Sequence, residues 1–438
     1  MKTDLKLSGL DFLRMEVASY VEGGDGHFSN PQSMPDGDFS GKYLTSNGKK
    51  ILDLTRLDYL SLGMSDEVRK IMMESVRDFD LACPASQMVM RCGSTVKLEQ
   101  AVAELHGMGE SLIFTAGYPA NENVIQGLGL RLMTPHLLPY IRGEKLGDTS
   151  RAIPTIFFVD EETHFSLSHG IKMAKLQAGK NRCMSERFPS GDYDRLLELL
   201  EESQHMYGDL AVRVIVSDTL SSTTGKVFDV GALYEIAEEY DCLLYLDEAH
   251  AIGCMGPEGR GIAASVPNYG HFRDRTLIMG TLTKAISQLG GYVTVADPNL
   301  ACFLRSASPQ YIFSAPIPPW MAEATVKILA LVKGSYGEQK RVRLAAVALR
   351  MRRLLEEEGF NILGSKSHIV SVFVGDDEKN IRTKAFLERN GFMPAMFIYP
   401  AVPRGGSSIR FSLCADITDD EVDALVGTLV RARRSINF

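Results

Sequence analysis

An acid and a lysine each follow an apolar run, where their side chains could act together. The run CLLYL leads into Asp247, and the run TLIMG is followed by Thr281, Thr283 and Lys284. Continuous apolar runs are typical of buried parallel strands, and α/β sheets bind ligands beyond the carboxyl ends of such strands. The Gly/Thr-rich turn offers backbone N–H and hydroxyl groups to an anion. The pattern therefore predicts a carboxylate, an amine and a bound anion at one sheet edge.

These three groups match the needs of one cofactor, pyridoxal phosphate. It requires a lysine amine to bond to its aldehyde and a carboxylate to keep its pyridine nitrogen protonated, so that the ring can take up a carbanion's electrons. Asp247 and Lys284 would fill these roles. Each residue alone has an ordinary explanation, since Asp247 could cap a helix and Lys284 could be one solvated lysine among many. The full strings DEAHAIGCMGPEGRG and GTLTKA favour the cofactor.

Those two strings closely resemble the α-oxoamine synthases, a family of pyridoxal-phosphate (PLP) enzymes. The family includes 8-amino-7-oxononanoate synthase, 2-amino-3-ketobutyrate CoA ligase, serine palmitoyltransferase and related autoinducer synthases. The resemblance extends over most of the chain from about Leu52 onward. It implies an α/β protein of PLP fold type I, the aspartate aminotransferase-like fold, with a large, mostly parallel sheet domain and a smaller C-terminal α+β domain. It also implies a homodimer with the cofactor at the subunit interface.

The chain is accordingly predicted to have three parts. Residues 1–50 form an N-terminal helix and arm, residues 51–315 the large PLP-binding domain, and residues 316–438 the small domain. The segment 131–154 has no clean periodicity and resembles an insertion, to which no role is assigned. In the last part, the string T-D-D-E from Thr418 predicts a capping box that begins the final helix.

The resemblance implies four catalytic residues: Lys284, His250, Asp247 and His164. It implies a cofactor site formed by Gly117, Tyr118, His164, Asp218, Ser222, Asp247, His250, Thr281, Thr283, Lys284 and Ser314. In this family the histidine matching His164 stacks on the cofactor ring, and the one matching His250 assists proton transfer. Imidazole suits such transfer near neutral pH. The hydroxyl of Ser314 is expected to reach the cofactor phosphate of the partner subunit.

Two further residues are predicted to contact substrate. Arg410 in SIRFSL matches an arginine that binds the amino acid's carboxylate, and a guanidinium suits a planar carboxylate. Asp58 stands where the family usually has an amide. The loop from Leu81 to Gln100 departs from the family's glycine-rich pattern, with Pro84 at a glycine position. We interpret the loop as altered substrate selection in favour of an amino acid bulkier than glycine, with drift in a surface loop as the alternative.

Composition limits the other classes of function. The net charge of −8 and the pI near 5.7 do not favour a nucleic-acid partner. The seven cysteines are scattered without a C-x-x-C pair, which argues against disulfides and a zinc site. No metal is predicted, because His164 and His169 do not share one helical face. Neither a signal peptide nor a transmembrane run is evident, so we expect a cytoplasmic protein without a membrane span.

The resulting hypothesis is a PLP-dependent acyltransferase. It would condense an amino acid with an acyl thioester, with loss of carbon dioxide, to give an α-aminoketone. The thioester carrier could be coenzyme A or an acyl carrier protein, and GDDEKNIRTKAFLERNGF also resembles the autoinducer synthases. Two alternatives stay open. One is another reaction of the same fold, such as transamination, and the other is a non-catalytic homologous subunit.

Overall fold

Two β-sheets organise the chain. The computed structural model describes residues 9–22, 38–46, 48–130, 153–179 and 181–438. The segment 131–154, interpreted above as an insertion, therefore lies outside the described residues except for its last two. The strands are β1 Asp38–Ser40, β2 Tyr43–Ser46, β3 Lys49–Leu54, β4 Glu110–Phe114, β5 Thr155–Asp160, β6 Cys183–Phe188, β7 Val212–Asp218, β8 Leu243–Asp247, β9 Thr276–Thr281, β10 Gly291–Val295, β11 Ile369–Gly375, β12 Phe392–Phe397 and β13 Ser407–Ser412.

Helices surround both sheets. They are α1 Gly9–Glu22, α2 Asp66–Asp78, α3 Gly93–His106, α4 Gly117–Leu130, α5 Phe165–Ala178, α6 Tyr193–Tyr207, α7 Val230–Glu239, α8 Tyr269–Phe272, α9 Pro298–Ala307, α10 Pro309–Phe313, α11 Pro319–Lys333, α12 Ser335–Glu357, α13 Asp377–Arg389 and α14 Asp419–Ile436. Thr418 begins α14 with the predicted capping box, since its side chain accepts from the Glu421 N–H and its own N–H donates to the Glu421 carboxylate. No helix in the described ranges is long and apolar enough to cross a membrane.

The larger sheet has the strand order β4-β10-β9-β8-β7-β5-β6. Strands β6, β5, β7, β8 and β9 run parallel, and β10 pairs antiparallel with both β9 and β4. Successive residues of a strand face opposite sides, so Phe157 and Phe158 enter different apolar clusters. Both faces are buried, which explains the continuous apolar runs. The predicted α/β fold with a large, mostly parallel sheet is confirmed.

The smaller sheet joins distant parts of the chain in the order β1-β2-β3-β12-β13-β11. Strand β3 pairs in parallel with β12, with Leu52 opposite Phe392. Residues 51–54, which the sequence analysis put at the start of the large domain, therefore hydrogen-bond within the sheet of the C-terminal part. The domain boundary at residue 51 stays a prediction. A parallel pairing between segments so far apart in the chain leaves no local periodic signal in the sequence.

Candidate functional site

Two carboxylates lie side by side where neighbouring parallel strands end. Asp218 ends β7, Asp247 ends β8, and the two residues are paired in register. On the other side of β8 lies β9, which ends at Thr281, three residues before Lys284. Parallel strands bring their carboxyl ends to one sheet edge. The predicted acid and amine are thus brought to the same edge.

The Lys284 amine has altered acidity. Burial lowers its pKa from the ordinary lysine value to about 8, although the carboxylates of Asp247 and Asp218 oppose this shift. Burial disfavours the ammonium form, whereas nearby negative charges favour it. A larger fraction of this amine is therefore neutral near pH 7 than for an exposed lysine. A neutral amine can attack a carbonyl or accept a proton.

The two carboxylates have different surroundings. Asp247 Oδ1 accepts from the Ala249 N–H at 2.9 Å, and Asp247 Oδ2 accepts from Asn121 Nδ2 at 2.7 Å. Asp218 Oδ1 accepts from the His164 N–H at 3.2 Å. Burial, together with the negative charge of Asp247, raises the pKa of Asp218 well above its ordinary value. Asp218 therefore holds a proton more readily than an exposed aspartate does.

His164 immediately precedes α5. Its Nδ1 accepts from the Ser166 N–H at 3.3 Å and lies 2.7 Å from Ser166 Oγ. Burial lowers the pKa of His164, against an opposing effect of Asp247 and with a smaller contribution from Lys284. The neutral imidazole is thus favoured beside the paired carboxylates. His164 caps its helix in this structure, and its stacking on the cofactor stays a prediction.

His250 is held by a buried tyrosine. Its Nδ1 lies 2.7 Å from Tyr59 Oη, and the Tyr59 ring contacts His368 edge-on with centroids 4.1 Å apart. Burial lowers the pKa of His250 well below its ordinary value, and the positive charges of Lys284 and Arg410 lower it further. His250 is therefore neutral near pH 7, and one of its two ring nitrogens does not face Tyr59.

The start of α4 meets the turn that follows β9. A Cβ placed on Gly117 would lie 2.8 Å from Met279 Cε, the end of a flexible side chain, and 3.4 Å from Thr281 Oγ1, so the start of α4 lies close to Thr281. Thr281 Oγ1 lies 2.9 Å from Thr283 Oγ1. The first N–H groups of a helix lack intrahelical partners and favour an anion. The start of α4 and the hydroxyl groups of Thr281 and Thr283 together fit a phosphate.

Tyr118 extends this wall of the site. Its hydroxyl lies 3.0 Å from His169 Nδ1, and its ring faces the His164 ring edge-on at 6.3 Å between centroids. Tyr118 is 38% exposed, so part of its surface is accessible to a ligand. The structure thus brings Tyr118 next to His164, as both predicted cofactor contacts require.

Arg410 carries an unsatisfied donor. Its Nη1 donates to the Ser222 carbonyl at 2.8 Å, and its guanidinium lies 4.9 Å from the centre of the Phe397 ring. Arg410 Nε is buried and has no hydrogen-bond partner in the described part of the chain. A buried donor without a partner is costly unless a ligand supplies an acceptor. The arrangement fits a carboxylate, and Ser222 meets Arg410 through its carbonyl group.

Two predicted contacts are engaged elsewhere in the single chain. The Asp58 carboxylate accepts from the N–H groups of Leu62 at 2.8 Å and Gly63 at 3.0 Å, and from Ser287 Oγ at 2.6 Å. It therefore stabilises its own turn, and a substrate contact by Asp58 stays a prediction. Ser314 follows α10, and its N–H donates to the Gln310 carbonyl. The contact predicted for Ser314 involves a second subunit and also stays a prediction.

Three residues at the site were not predicted. Asn121 binds Asp247, Tyr59 binds His250, and His368 packs on Tyr59. Asn121 lies in the string GYPAN with the predicted Gly117 and Tyr118, and Tyr59 directly follows the predicted Asp58, so the motifs around predicted residues held a usable signal. His368 precedes β11 and has no such motif. Its position could be found only from the packing of the smaller sheet on the larger one.

The chain is similar in sequence to known proteins. The family model for aminotransferase class I and II matches residues 150–429. The 8-amino-7-oxononanoate synthase of Gluconacetobacter diazotrophicus is 30% identical over 390 residues, which are 89% of this chain and 89% of that protein. A putative 8-amino-7-oxononanoate synthase of Magnetococcus marinus is 29% identical over 394 residues, 89% of this chain and 90% of its own length.

Solved structures share the fold. Serine palmitoyltransferase from S. paucimobilis, with bound PLP and myriocin, superposes with a TM-score of 0.80 at 22% identity and covers 98% of this chain and 100% of its own. The 8-amino-7-oxononanoate synthase from Francisella tularensis superposes with a TM-score of 0.67 at 20% identity, covering 89% of this chain and 99% of its own. These similarities extend over both sheets.

Proposed function

The chain belongs to the class I and II aminotransferase family, and within it to the α-oxoamine synthases; from this membership we propose that it condenses an amino acid with an acyl thioester. The observation that carries the proposal is the lysine of lowered pKa beside a hydrogen-bonded aspartate at one sheet edge, with an unpartnered arginine donor nearby. Carbon–carbon bond formation would accompany loss of the substrate carboxylate as carbon dioxide and release of a thiol. One proton is taken up for each turnover.

The residues present fit PLP, the cofactor of this family. Lys284 would bond to its aldehyde, Asp247 would face its pyridine nitrogen, and the start of α4 with Thr281 and Thr283 would hold its phosphate. When bound, the cofactor supplies a ring that accepts the electrons of a carbanion at the amino acid's α-carbon. The closeness of Gly117 to Thr281 supports the phosphate assignment, because it brings the first N–H groups of the helix next to the threonine hydroxyls.

The remaining side chains would bind substrate and move protons. Arg410 would bind the amino acid's carboxylate through its guanidinium group. Lys284 Nζ, once free, would accept the α-proton, since its lowered pKa gives it a larger neutral fraction near pH 7 than an exposed lysine has. His250, neutral and held through Nδ1 by Tyr59, would assist that transfer from its other ring nitrogen. Of the two groups, Lys284 has the pKa near the working pH, at about 8, where general acid–base groups are most efficient.

We also propose that the enzyme acts as a homodimer. Several large apolar side chains near the loop after residue 81 are exposed, with Val89 at 81% and Phe313 at 85%. Ser86 Oγ donates to the Ile312 carbonyl, so these two exposed segments lie together. Exposed apolar patches of this kind mark association surfaces. Ser314 directly follows Phe313, which supports its predicted contact with a cofactor across the interface.

The test of the proposed function is a thiol-release assay. Glycine, alanine, serine and 2-aminobutyrate are each mixed with one medium-chain acyl thioester, and free thiol and aminoketone are measured together. We expect both products in equal amounts, with glycine a weak substrate, because a methylene in a pocket changes selection by about 1–3 kcal/mol. A clear preference for glycine would contradict the prediction about the amino acid. Keto acid formation without thiol release would instead favour transamination.

The two site histidines should respond differently to replacement by alanine. His164→Ala should weaken PLP retention more than His250→Ala does, because His164 lies beside the paired carboxylates and is expected to contact the ring. His250→Ala should keep the cofactor and slow exchange of the amino acid's α-proton with deuterated solvent. PLP dissociation and exchange rates are measured for both, with the exposed His271→Ala as control. The reverse pattern would show that the two roles are exchanged.

A further inference from the structure

A chain of buried hydrogen bonds links Asp247 to His164. Tyr245 Oη donates to Asn121 Oδ1 at 2.8 Å, and Asn121 Nδ2 donates to Asp247 Oδ2 at 2.7 Å and to Ser166 Oγ at 3.0 Å. Ser166 Oγ lies 2.7 Å from His164 Nδ1. Asn121 is 1% exposed, and Ser166 and Tyr245 are fully buried. We call these five residues the Asn121 network.

The donor and acceptor of each hydrogen bond follow from Tyr245, whose hydroxyl is the first donor. This residue lies two positions before Asp247 on β8, so both side chains point to the face of the sheet that α4 covers. Burial raises the pKa of Tyr245 well above its ordinary value, so its hydroxyl keeps the proton and donates it to Asn121 Oδ1. The amide oxygen of Asn121 is thereby occupied. Its nitrogen must then face Asp247 and Ser166, and the reversed amide would set an oxygen against the Asp247 carboxylate.

The donors around His164 determine which of its two ring nitrogens carries the proton. Ser166 Oγ receives a hydrogen bond from Asn121, so its own proton is free to be donated to His164 Nδ1. The Ser166 N–H also points at that nitrogen. Because two donors face Nδ1, this atom must be an acceptor. The ring proton of a neutral His164 therefore lies on Nε2.

We propose that Asn121 is a positioning residue that orients the Asp247 carboxylate and sets the Nε2–H tautomer of His164 through a single side-chain amide. This inference rests on the proposed function, in which Asp247 and His164 both contact the cofactor. A side-chain amide can accept a hydrogen bond from Tyr245 while it donates to two other groups. Replacement of Asn121 by alanine removes all three hydrogen bonds. Replacement by aspartate places a second carboxylate next to that of Asp247.

The first test observes the tautomer directly. The full-length chain, freed of cofactor, is labelled with ¹⁵N-histidine, and the ring-nitrogen signals of its nine histidines are recorded by NMR. His164 is identified by the signal that disappears in His164→Gln. We expect Nε2–H in the parent protein and a gain of the Nδ1–H form in Asn121→Ala and in Ser166→Ala. A parent protein with Nδ1 protonated overturns the proposal.

Asn123→Ala is the matched control. Asn123 is a buried asparagine on the same helix, with its Nδ2 bonded to the Pro119 carbonyl at 2.8 Å and its Oδ1 to the Gln310 N–H at 3.0 Å. It has no bond to the Asn121 network, so its loss should leave the His164 signals unchanged. Equal changes in Asn121→Ala and Asn123→Ala would reduce the effect to general loosening of α4 and overturn the proposal.

The second test is PLP affinity, titrated on the cofactor-free chain by fluorescence. Asn121→Ala should weaken binding by about 10- to 100-fold, as expected for loss of a hydrogen bond to a charged group. Asn121→Asp should weaken it further, and Asn123→Ala should bind like the parent. Unchanged affinity and tautomer in Asn121→Ala would refute the proposal. Both readouts need no substrate, so absent thiol release in the parent would overturn the proposed function and leave these results standing.

Discussion

Lys284→Ala should abolish the PLP adduct that borohydride fixes to the protein and reduce thiol release to background. The reason is positional, because Lys284 is the lysine that follows β9 beside the two paired aspartates. Loss of its amine removes both the covalent link to the cofactor and the predicted acceptor of the α-proton. Mass spectrometry of the reduced, digested protein locates the adduct, and the thiol assay measures turnover.

The control for this experiment is Lys333→Ala. That lysine is exposed, and its Nζ lies 3.8 Å from Glu258, away from the sheet edge. The control variant should retain the adduct and its turnover. In the parent, cofactor uptake by the cofactor-free chain should rise with pH and level off above about 8, since the neutral amine forms as pH passes the lowered pKa of Lys284. An adduct on any other lysine would refute the assignment.

Asp247→Asn should slow turnover by several powers of ten. The change removes the negative charge predicted to keep the pyridine nitrogen protonated, and loss of one partner from a buried ionic pair costs about 3–5 kcal/mol. About 1.4 kcal/mol corresponds to a tenfold change in rate. When the full 3–5 kcal/mol is added to the activation barrier, turnover therefore falls by about two to four powers of ten. The new amide also has one oxygen for two donors, the Ala249 N–H and Asn121 Nδ2. One of these donors loses its bond.

Asp218→Asn provides the comparison for Asp247→Asn. Asp218 is also buried and ends the adjacent strand, but its pKa is raised well above the ordinary aspartate value, so it holds a proton more readily than an exposed aspartate does. An amide there resembles the protonated acid, and turnover should fall much less. Initial rates of thiol release and the bound PLP fraction are measured for both variants. An Asp247→Asn enzyme within a few-fold of the parent would exclude the assigned role.

The sequence by itself determined the parts of the site that depend on local pattern. Apolar runs that end in Asp247 and before Lys284 predicted two buried parallel strands, and the strings around them carried the family resemblance. The capping box at Thr418 is local too, because its two partners are three residues apart. Strand ends, caps and motifs involve neighbours along the chain, and residue spacing records them.

Only the tertiary structure decided which side chains meet across the chain. Asn121 and Asp247 are 126 residues apart, Tyr59 and His250 are 191 apart, and Arg410 contacts Ser222 across 188 residues. Strand β3 likewise joins β12, which no periodicity near Leu52 predicts. The physical reason is that periodicity reports which face of an element is buried, whereas the partner on that face depends on how distant elements pack. The sequence therefore predicted the candidate reacting groups, and packing showed which distant residues contact them.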